Sequence, residues 1–201
     1  MKVSDQNIFV TEEYKKVRQE IEALLAGEKA RIFVAVDGRC GSGKTTLASY
    51  LMTCFDGNLF HMDDFYLRKE QRTPERLAEA GGNVDYERFR AQVLYPALRG
   101  ENVLYERFDC MTFSLKKAEL YPPKRLNLIE GSYSLHPYFG DVYDLRVFMT
   151  VSKDVQRERI RARNGEEKLA RFLSEWIPKE EAYFRKFTPE KNTLVINGAV
   201  R

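Results

Sequence analysis

The sequence predicts an α/β fold in which helices cover both faces of a largely parallel sheet of about five strands. Three observations favour this class. Short apolar runs rich in β-branched residues alternate with longer helical stretches. The first run is continuously apolar, as in strands buried on both faces. A glycine-rich loop then joins this run directly to a helix.

The length and composition predict one domain with a sizeable core. The 201 residues are 43% hydrophobic and 31% charged, which is ordinary for a globular protein. The net charge of +3 is small and the basic residues are spread, so we expect no nucleic-acid partner. Cys40, Cys54 and Cys110 lack metal-ligand spacing, which fits a reducing, cytoplasmic location.

No membrane partner is expected either. The first residues lack the apolar core of a secretory signal, and no apolar run is long enough to span a bilayer. The sequence leaves the oligomeric state open.

The elements of the first half follow from periodicity and stop signals. Residues 11–26 have apolar side chains at helical spacing and end before Gly27, so residues 1–30 are predicted to form an N-terminal helical extension. RIFVAV is the first strand, TTLASYLMTCF the next helix and GNLFHM the second strand. Residues 86–99 predict a helix that ends at Gly100 and that Pro96 can kink.

The second half continues the alternation. NVLYERF alternates like a strand, LNLIEG and LRVFMTV predict buried strands, and TLVING predicts the last one. The stretch 153–187 is mostly helical and highly charged, with breaks expected at Asn164-Gly165 and at Pro178.

Residues 38–45, GRCGSGKT, match the P-loop pattern G-x-x-x-x-G-K-[ST] in full. The glycines let backbone N–H groups point at phosphate oxygens, and the next helix adds the positive end of its dipole. Lys44 can reach the β- and γ-phosphates and Thr45 can bind Mg²⁺. We therefore predict ATP and Mg²⁺ as cofactors and a P-loop NTPase three-layer α/β/α fold. The candidate ATP-binding residues are Gly38, Arg39, Cys40, Gly41, Ser42, Gly43, Lys44, Thr45 and Thr46.

A small-molecule kinase fits this motif better than a GTPase, because the guanine-reading N-K-x-D is absent from the sequence. Such a kinase needs a base for a hydroxyl and acids near Mg²⁺. In HMDDFY, residues 61–66, Asp63 suits a base or a water-mediated metal contact, whereas Asp64 suits a turn cap or solvent. Glu130 ends LNLIE and suits a second metal carboxylate. An ordinary polar strand end remains the alternative for all three acids.

GRCGSGKTT, MDDFY, NVDYERF, LIEGSYSL and the late arginine-rich helix, in this order, resemble the uridine kinase–phosphoribulokinase group of P-loop kinases. The resemblance covers residues 31–198 and implies one kinase domain over residues 1–201, with an acceptor-binding region at 64–125 and a lid at 157–175. It implies that Asp63 accepts the hydroxyl proton beside the catalytic Lys44, that Glu130 lies near Mg²⁺ and that Asp85 binds ribose hydroxyls. Tyr66 also matches a family position, although ordinary packing explains it equally well.

Two further segments bear on the phosphates and the acceptor. In VQRERIRARNGEEKLARF the arginines fit either a solvated helix or a lid, and the resemblance favours Arg161 and Arg163 as lid residues. In RFDCMTFS, Phe108 and Phe113 stand where nucleoside kinases have a tyrosine and a histidine. Phenylalanine can stack on a ring but forms no conventional hydrogen bond, so we expect a poor uridine or cytidine kinase.

The sequence thus predicts a kinase that transfers the γ-phosphate of ATP to a hydroxyl of a small-molecule alcohol, with a nucleoside favoured by the resemblance. One alternative is a non-nucleoside acceptor, such as a pantothenate-like or sugar-like alcohol. The other is a nucleotide-binding regulator that hydrolyses ATP slowly. Neither histidine, His61 or His136, is assigned a catalytic role.

Overall fold

The computed structural model describes residues 10–198 of the chain. In this part the strands are β1 (Ile32–Gly38), β2 (Gly57–His61), β3 (Val103–Tyr105), β4 (Phe108–Asp109), β5 (Ser114–Leu115), β6 (Glu119–Tyr121), β7 (Leu126–Glu130), β8 (Leu145–Thr150) and β9 (Leu194–Asn197). The α-helices are α1 (Glu12–Ala26), α2 (Lys44–Cys54), α3 (Pro74–Ala78), α4 (Tyr86–Phe89), α5 (Tyr95–Arg99), α6 (Lys153–Arg171) and α7 (Ile177–Phe187).

The central sheet of residues 10–198 has five strands in the order β2–β7–β1–β8–β9, and every pairing is parallel. β1 and β7 are buried along their whole length, as their continuous apolar runs predict. The predicted α/β class and the number of sheet strands are both confirmed. Because the strands are parallel, their carboxyl ends all meet at one edge of the sheet.

Each face of the sheet carries its own helical layer. Ile32, Val34 and Val36 of β1 pack with α1 and α2 on one side, and Tyr14, Val17 and Ile21 are the buried residues of α1. Phe33 packs on the opposite side with the helices at 86–99 and with α7. Successive side chains of β1 point to opposite faces of the sheet, so they pack in two separate cores. The fold therefore has three layers, with the sheet between two layers of helices.

The helix predicted at residues 11–26 begins one residue later than its pattern, because Thr11 is the N-cap. The Thr11 hydroxyl accepts a hydrogen bond from the Tyr14 N–H at 3.2 Å. Residues 1–9 of the predicted N-terminal extension lie outside the described part. Among residues 10–198, no helix combines the length and apolar character needed to cross a bilayer.

The two internal prolines of the helical segments cause no break. A π-helical turn at residues 90–94 precedes Pro96, and another at residues 172–176 precedes Pro178. Proline lacks an N–H and its ring crowds the carbonyl four residues earlier, and the wider turn gives that carbonyl room. The predicted break at Pro178 is therefore wrong. The predicted break at Asn164-Gly165 is confirmed, because Gly165 has φ 81° and ψ 170° inside α6.

The predicted strand NVLYERF does not join the central sheet. Its first part, β3, pairs antiparallel with β6, and Phe108 begins β4, which pairs antiparallel with β5. Leu104 and Leu120 face each other on the exposed side of the β3–β6 ribbon. The alternating pattern correctly predicted extended chain. That chain belongs to a half-exposed antiparallel ribbon, which lies outside the buried parallel sheet.

Candidate active site

The P-loop connects the end of β1 to the start of α2, as its sequence predicts. Gly38, Gly41 and Gly43 have φ values of 132°, 73° and 101°. At Gly38 an added Cβ would lie 2.0 Å from the carbonyl oxygen of Met149 in β8, so only glycine fits. The loop is therefore packed against the neighbouring strand, and its glycines give it its curvature.

Lys44 begins α2 and is held across the loop. Its side chain is buried, with 8% exposed, and Nζ donates to the carbonyl oxygens of Gly38 at 2.7 Å and Arg39 at 3.0 Å. The Ser132 hydroxyl lies 3.4 Å from Nζ. These hydrogen-bond partners are neutral oxygens. The positive charge of Lys44 is therefore available to an anion bound by the P-loop.

Glu130, at the end of β7, links α2 to β2. Its Oε1 lies 3.3 Å from the Thr45 hydroxyl and 2.5 Å from His61 Nδ1. Burial opposes protonation of His61, but the hydrogen bond and the charge of Glu130 outweigh it and raise the pKa of the imidazole. The parallel register places His61 directly opposite Glu130, a contact that sequence reasoning missed.

The Thr45 and Glu130 side chains suit Mg²⁺, because hydroxyl and carboxylate oxygens are the donors that this hard ion prefers. Mg²⁺ sites commonly combine one or two protein ligands with phosphate oxygens and water. Residues 10–198 contain no group of three or more His, Cys, Asp or Glu side chains arranged as a metal site.

The doubled acid forms a single 3₁₀ turn, Met62–Asp64, directly after β2. Asp64 Oδ2 accepts from the Tyr105 hydroxyl at 2.8 Å and lies 3.8 Å from Arg107 Nε, so this acid is already partnered. Asp63 accepts a hydrogen bond from the Tyr66 hydroxyl at 3.1 Å, its one side-chain partner among residues 10–198. The two adjacent acids therefore have different surroundings.

Asp63 is an exposed residue, and nearby protein atoms displace part of the hydration of its carboxyl. This desolvation raises the pKa of Asp63, the charge of Glu130 raises it further, and Lys44 and the Tyr66 hydroxyl oppose the rise. Asp63 follows β2, and the neighbouring strand β7 ends at Glu130, so both acids lie at the sheet edge that carries the P-loop. A carboxylate with a raised pKa is a stronger proton acceptor, as a general base requires.

The residues predicted to bind the acceptor differ in whether their side chains are free to contact a ligand. Asp85 is buried, with 1% exposed. It caps α4 by accepting the Arg88 N–H at 3.0 Å, and it accepts from Gln71 Nε2 at 2.9 Å. A diol would have to replace the Gln71 amide there. Phe108 and Phe113 form an edge-to-face pair with ring centroids 6.0 Å apart, and Phe113 is 53% exposed.

The predicted lid arginines do not reach the P-loop in this structure. Arg161 pairs with Glu166 at 2.6 Å and Arg163 Nε donates to Asn164 Oδ1 at 2.8 Å, and both bonds are exposed. Arg159 makes the contact instead. It donates to the Gly41 carbonyl at 3.2 Å and to the Gly198 carbonyl at 2.7 Å.

Asp37 is a buried residue that sequence reasoning missed. It is the last residue before the P-loop, and its carboxylate accepts the N–H groups of Gly38 at 2.6 Å, Tyr133 at 3.0 Å and Leu135 at 3.0 Å. It also accepts the Tyr183 hydroxyl of α7 at 2.9 Å. An acid inside an otherwise apolar strand is the sequence signal that could have found it.

Glu180 of α7 was also missed. The Cys40 N–H of the P-loop lies 3.1 Å from both of its carboxylate oxygens, and the Ser132 hydroxyl donates to Oε1 at 2.7 Å. The next residue, Glu181, pairs with Arg39. Helix α7 therefore holds the first half of the P-loop through two adjacent acids.

Comparison with known proteins identifies the fold of the chain. No family model matches the chain, and no curated protein matches it. A solved structure from Bacillus stearothermophilus, described as a possible uridine kinase, has a TM-score of 0.66 and 21% identity, and the match covers 90% of this chain and 99% of that one. The chain has the fold of the P-loop kinases.

Two other structures support the same conclusion. One, from Silicibacter sp. TM1040, is named a putative fructose transport system kinase; its TM-score is 0.70 at 23% identity, with 86% of this chain and 94% of that chain covered. The other, YFH7 from Saccharomyces cerevisiae, is described as a putative P-loop containing kinase with a circular permutation. Its TM-score is 0.61 at 12% identity, with 92% and 97% covered. At these identities the likeness concerns the fold of the kinases alone.

Proposed function

We propose that this protein is an ATP-dependent kinase that transfers the γ-phosphate to a hydroxyl of a small molecule. The observation that carries the proposal is the arrangement at one edge of the sheet. The P-loop follows β1, Glu130 ends β7 and Asp63 follows β2, and these three strands are neighbours in the sheet. An anion cradle, a metal-type acid and a candidate base therefore meet at the edge where α/β proteins bind ligands.

Each group has a distinct task in this proposal. The P-loop N–H groups and Lys44 bind and orient the phosphates. Asp63 accepts the proton of the attacking hydroxyl, and the Tyr66 hydroxyl orients that carboxylate. Thr45 and Glu130 would hold Mg²⁺, which when bound neutralises charge on the β- and γ-phosphates.

The acceptor is a nucleoside or a related alcohol, with a pantothenate-like or sugar-like alcohol as the second candidate. Two observations favour the second. The carboxylate of Asp85 is already bonded within the protein, and Phe108 and Phe113 offer ring surface without hydrogen bonds. The similar structures named above include both a possible uridine kinase and a putative fructose transport system kinase, so the fold alone does not choose between the two classes of acceptor.

The test is acceptor-dependent ADP release from Mg·ATP across a panel of nucleosides, pantothenate, sugars and small polyols. We expect one chemical class to stimulate release and to yield a phosphorylated product by mass spectrometry. Lys44→Ala is the matched control and should abolish the product. ADP release that is the same with and without every alcohol would favour the regulatory ATPase instead.

A further inference from the structure

The carboxylate of Glu180 lies in the P-loop where an anion is expected. Its side chain is buried, with 4% exposed, and both oxygens face the Cys40 N–H of the loop. Main-chain N–H groups of a P-loop are the donors that bind phosphate oxygens. A carboxylate from α7 therefore occupies one of these donors in this structure.

The surroundings of this carboxylate locate it at the reactive part of the site. The Ser132 hydroxyl donates to Glu180 Oε1 at 2.7 Å and lies 3.4 Å from Lys44 Nζ, so a single hydroxyl separates the carboxylate from the phosphate-binding ammonium. The charge of Glu180 also acts on Asp63, the candidate base. Through Ser132, Glu180 is thus beside the ammonium that binds the phosphates in this proposal.

We propose that Glu180 is an internal competitor of the nucleotide, which must leave the Cys40 N–H before the terminal phosphates bind. This inference rests on the proposed binding of a nucleotide at the P-loop. A carboxylate and a phosphate repel each other at such short range in a buried site. The apparent nucleotide affinity is therefore lowered by the fraction of molecules in which Glu180 still occupies the loop.

Release of Glu180 moves α7. Helix α7 follows the π-helical turn at residues 172–176, and a cavity of about 170 Å³ separates it from α6. Gln156 of α6 and Ile177 and Glu181 of α7 line this cavity. The Gln156 side chain donates to the Cys40 carbonyl at 3.0 Å, so both helices are attached to the same loop residue. Displacement of the carboxylate thereby couples nucleotide binding to the lid segment.

The experiment compares the wild-type protein with Glu180→Gln, which removes the charge, and Glu180→Asp, which keeps the charge but shortens its reach. Glu22→Gln is the matched control, since that exposed acid pairs with Arg18 within α1. Mg·ATP affinity is measured by displacement of a fluorescent ATP analogue, with inorganic tripolyphosphate as a second probe. We expect about tenfold tighter binding in both Glu180 variants and less than a twofold change in the control.

Hydrogen exchange of residues 177–187 gives an independent readout. In the wild type, Mg·ATP should speed exchange there, and in Glu180→Gln the fast exchange should already be present without nucleotide. If Glu180→Gln does not fold, as judged by thermal melting, Glu180→Asp decides the question.

Three results would overturn the inference: equal or weaker ATP binding in the Glu180 variants, slower α7 exchange on adding nucleotide, or lost turnover with unchanged affinity. The last result would make Glu180 a catalytic residue. Tighter ATP binding without phosphorylation of any acceptor would uphold the inference and reject the kinase proposal. Absence of ATP binding in every variant would reject both.

Discussion

At the scale of single residues, one buried carboxylate ties the P-loop to the rest of the protein. Asp37 accepts three backbone N–H groups and the Tyr183 hydroxyl. All four partners are donors, so the ionised acid satisfies each of them, and no neutral side chain of this size can. The shape of the loop before ligand binding therefore depends on a residue outside the motif itself.

Asp37→Asn should lower the free energy of unfolding by about 2–4 kcal/mol, because the amide nitrogen faces buried donors and leaves them unsatisfied. Urea denaturation measures the change. Tyr183→Phe removes a single donor and should cost only about 1 kcal/mol. If Asp37→Asn were as stable as Tyr183→Phe, the carboxylate would not have the role described here.

His136 is a half-buried imidazole whose surroundings favour the neutral form. Its Nδ1 accepts the Tyr138 N–H at 3.2 Å, while Nε2 lies 3.2 Å from the Ala80 carbonyl. Burial lowers the pKa of His136 below its usual value of 6.5. Arg76 and Lys186 also lower it, and the Ala80 carbonyl and Glu79 oppose them.

The contribution of His136 to stability should therefore fall as pH drops through about 6.5, because the unfolded chain then binds a proton more readily than the native imidazole does. Protonation of His61, whose pKa is raised, acts in the opposite direction. His136→Phe keeps the aromatic packing and removes the titration. The unfolding free energy of this variant, measured between about pH 7.5 and 5.5, should depend less steeply on pH than that of the wild type. Equal slopes in the two proteins would show that His136 does not titrate in this way.

At the scale of elements, the sequence predicted what depends on local pattern and missed what depends on long-range contact. The parallel strands and the P-loop were predictable, because apolar runs and glycine spacing are local signals. The β3–β6 ribbon was not, since an alternating strand gives no sign of its partner. Glu180 was missed for the same reason: it lies 140 residues from Cys40, and only the fold brings them together.

Helix α7 ends at a strained position. Thr188, its C-cap, has φ 44° and ψ 54°, a left-handed conformation that is unfavourable for a β-branched residue. Its N–H bonds the Phe184 carbonyl at 2.9 Å, so the cap itself is formed by the backbone. Glycine adopts this conformation without the steric cost.

Thr188→Gly should therefore raise the free energy of unfolding by about 0.5–1 kcal/mol despite the greater flexibility of the unfolded glycine. Thermal or urea unfolding measures the gain, and Thr188→Ala serves as the control that keeps a Cβ. A glycine variant less stable than the alanine variant would contradict the strain at this cap.

At the scale of the whole molecule, the sheet brings the candidate groups of three strands together, while the acceptor side is built separately. Phe108 begins β4 and Phe113 directly precedes β5, so both belong to the β4–β5 ribbon outside the central sheet. Under the proposed function, we expect the sheet edge to carry the phosphate chemistry and this ribbon to influence acceptor choice. The two can vary independently in proteins of this fold.

We expect poor phosphorylation of uridine and cytidine, because unpaired polar atoms of a buried base cost about 1–3 kcal/mol each. Steady-state kinetics with these nucleosides beside pantothenate and small polyols gives the comparison. A kcat/KM for uridine near ~10⁵ M⁻¹s⁻¹, which is ordinary for an enzyme with its own substrate, would restore the uridine kinase interpretation.

The most direct test of the central claim compares the two adjacent acids after β2, because they differ in role and hardly in position. With the best acceptor of the panel, Asp63→Asn should lower kcat by ~10²-fold or more, since the base is lost while the size of the side chain is kept. Asp64→Asn should have a much smaller effect on kcat, because that carboxylate is already bonded by the Tyr105 hydroxyl. Near-normal turnover of Asp63→Asn, or a larger loss in Asp64→Asn, would contradict the account.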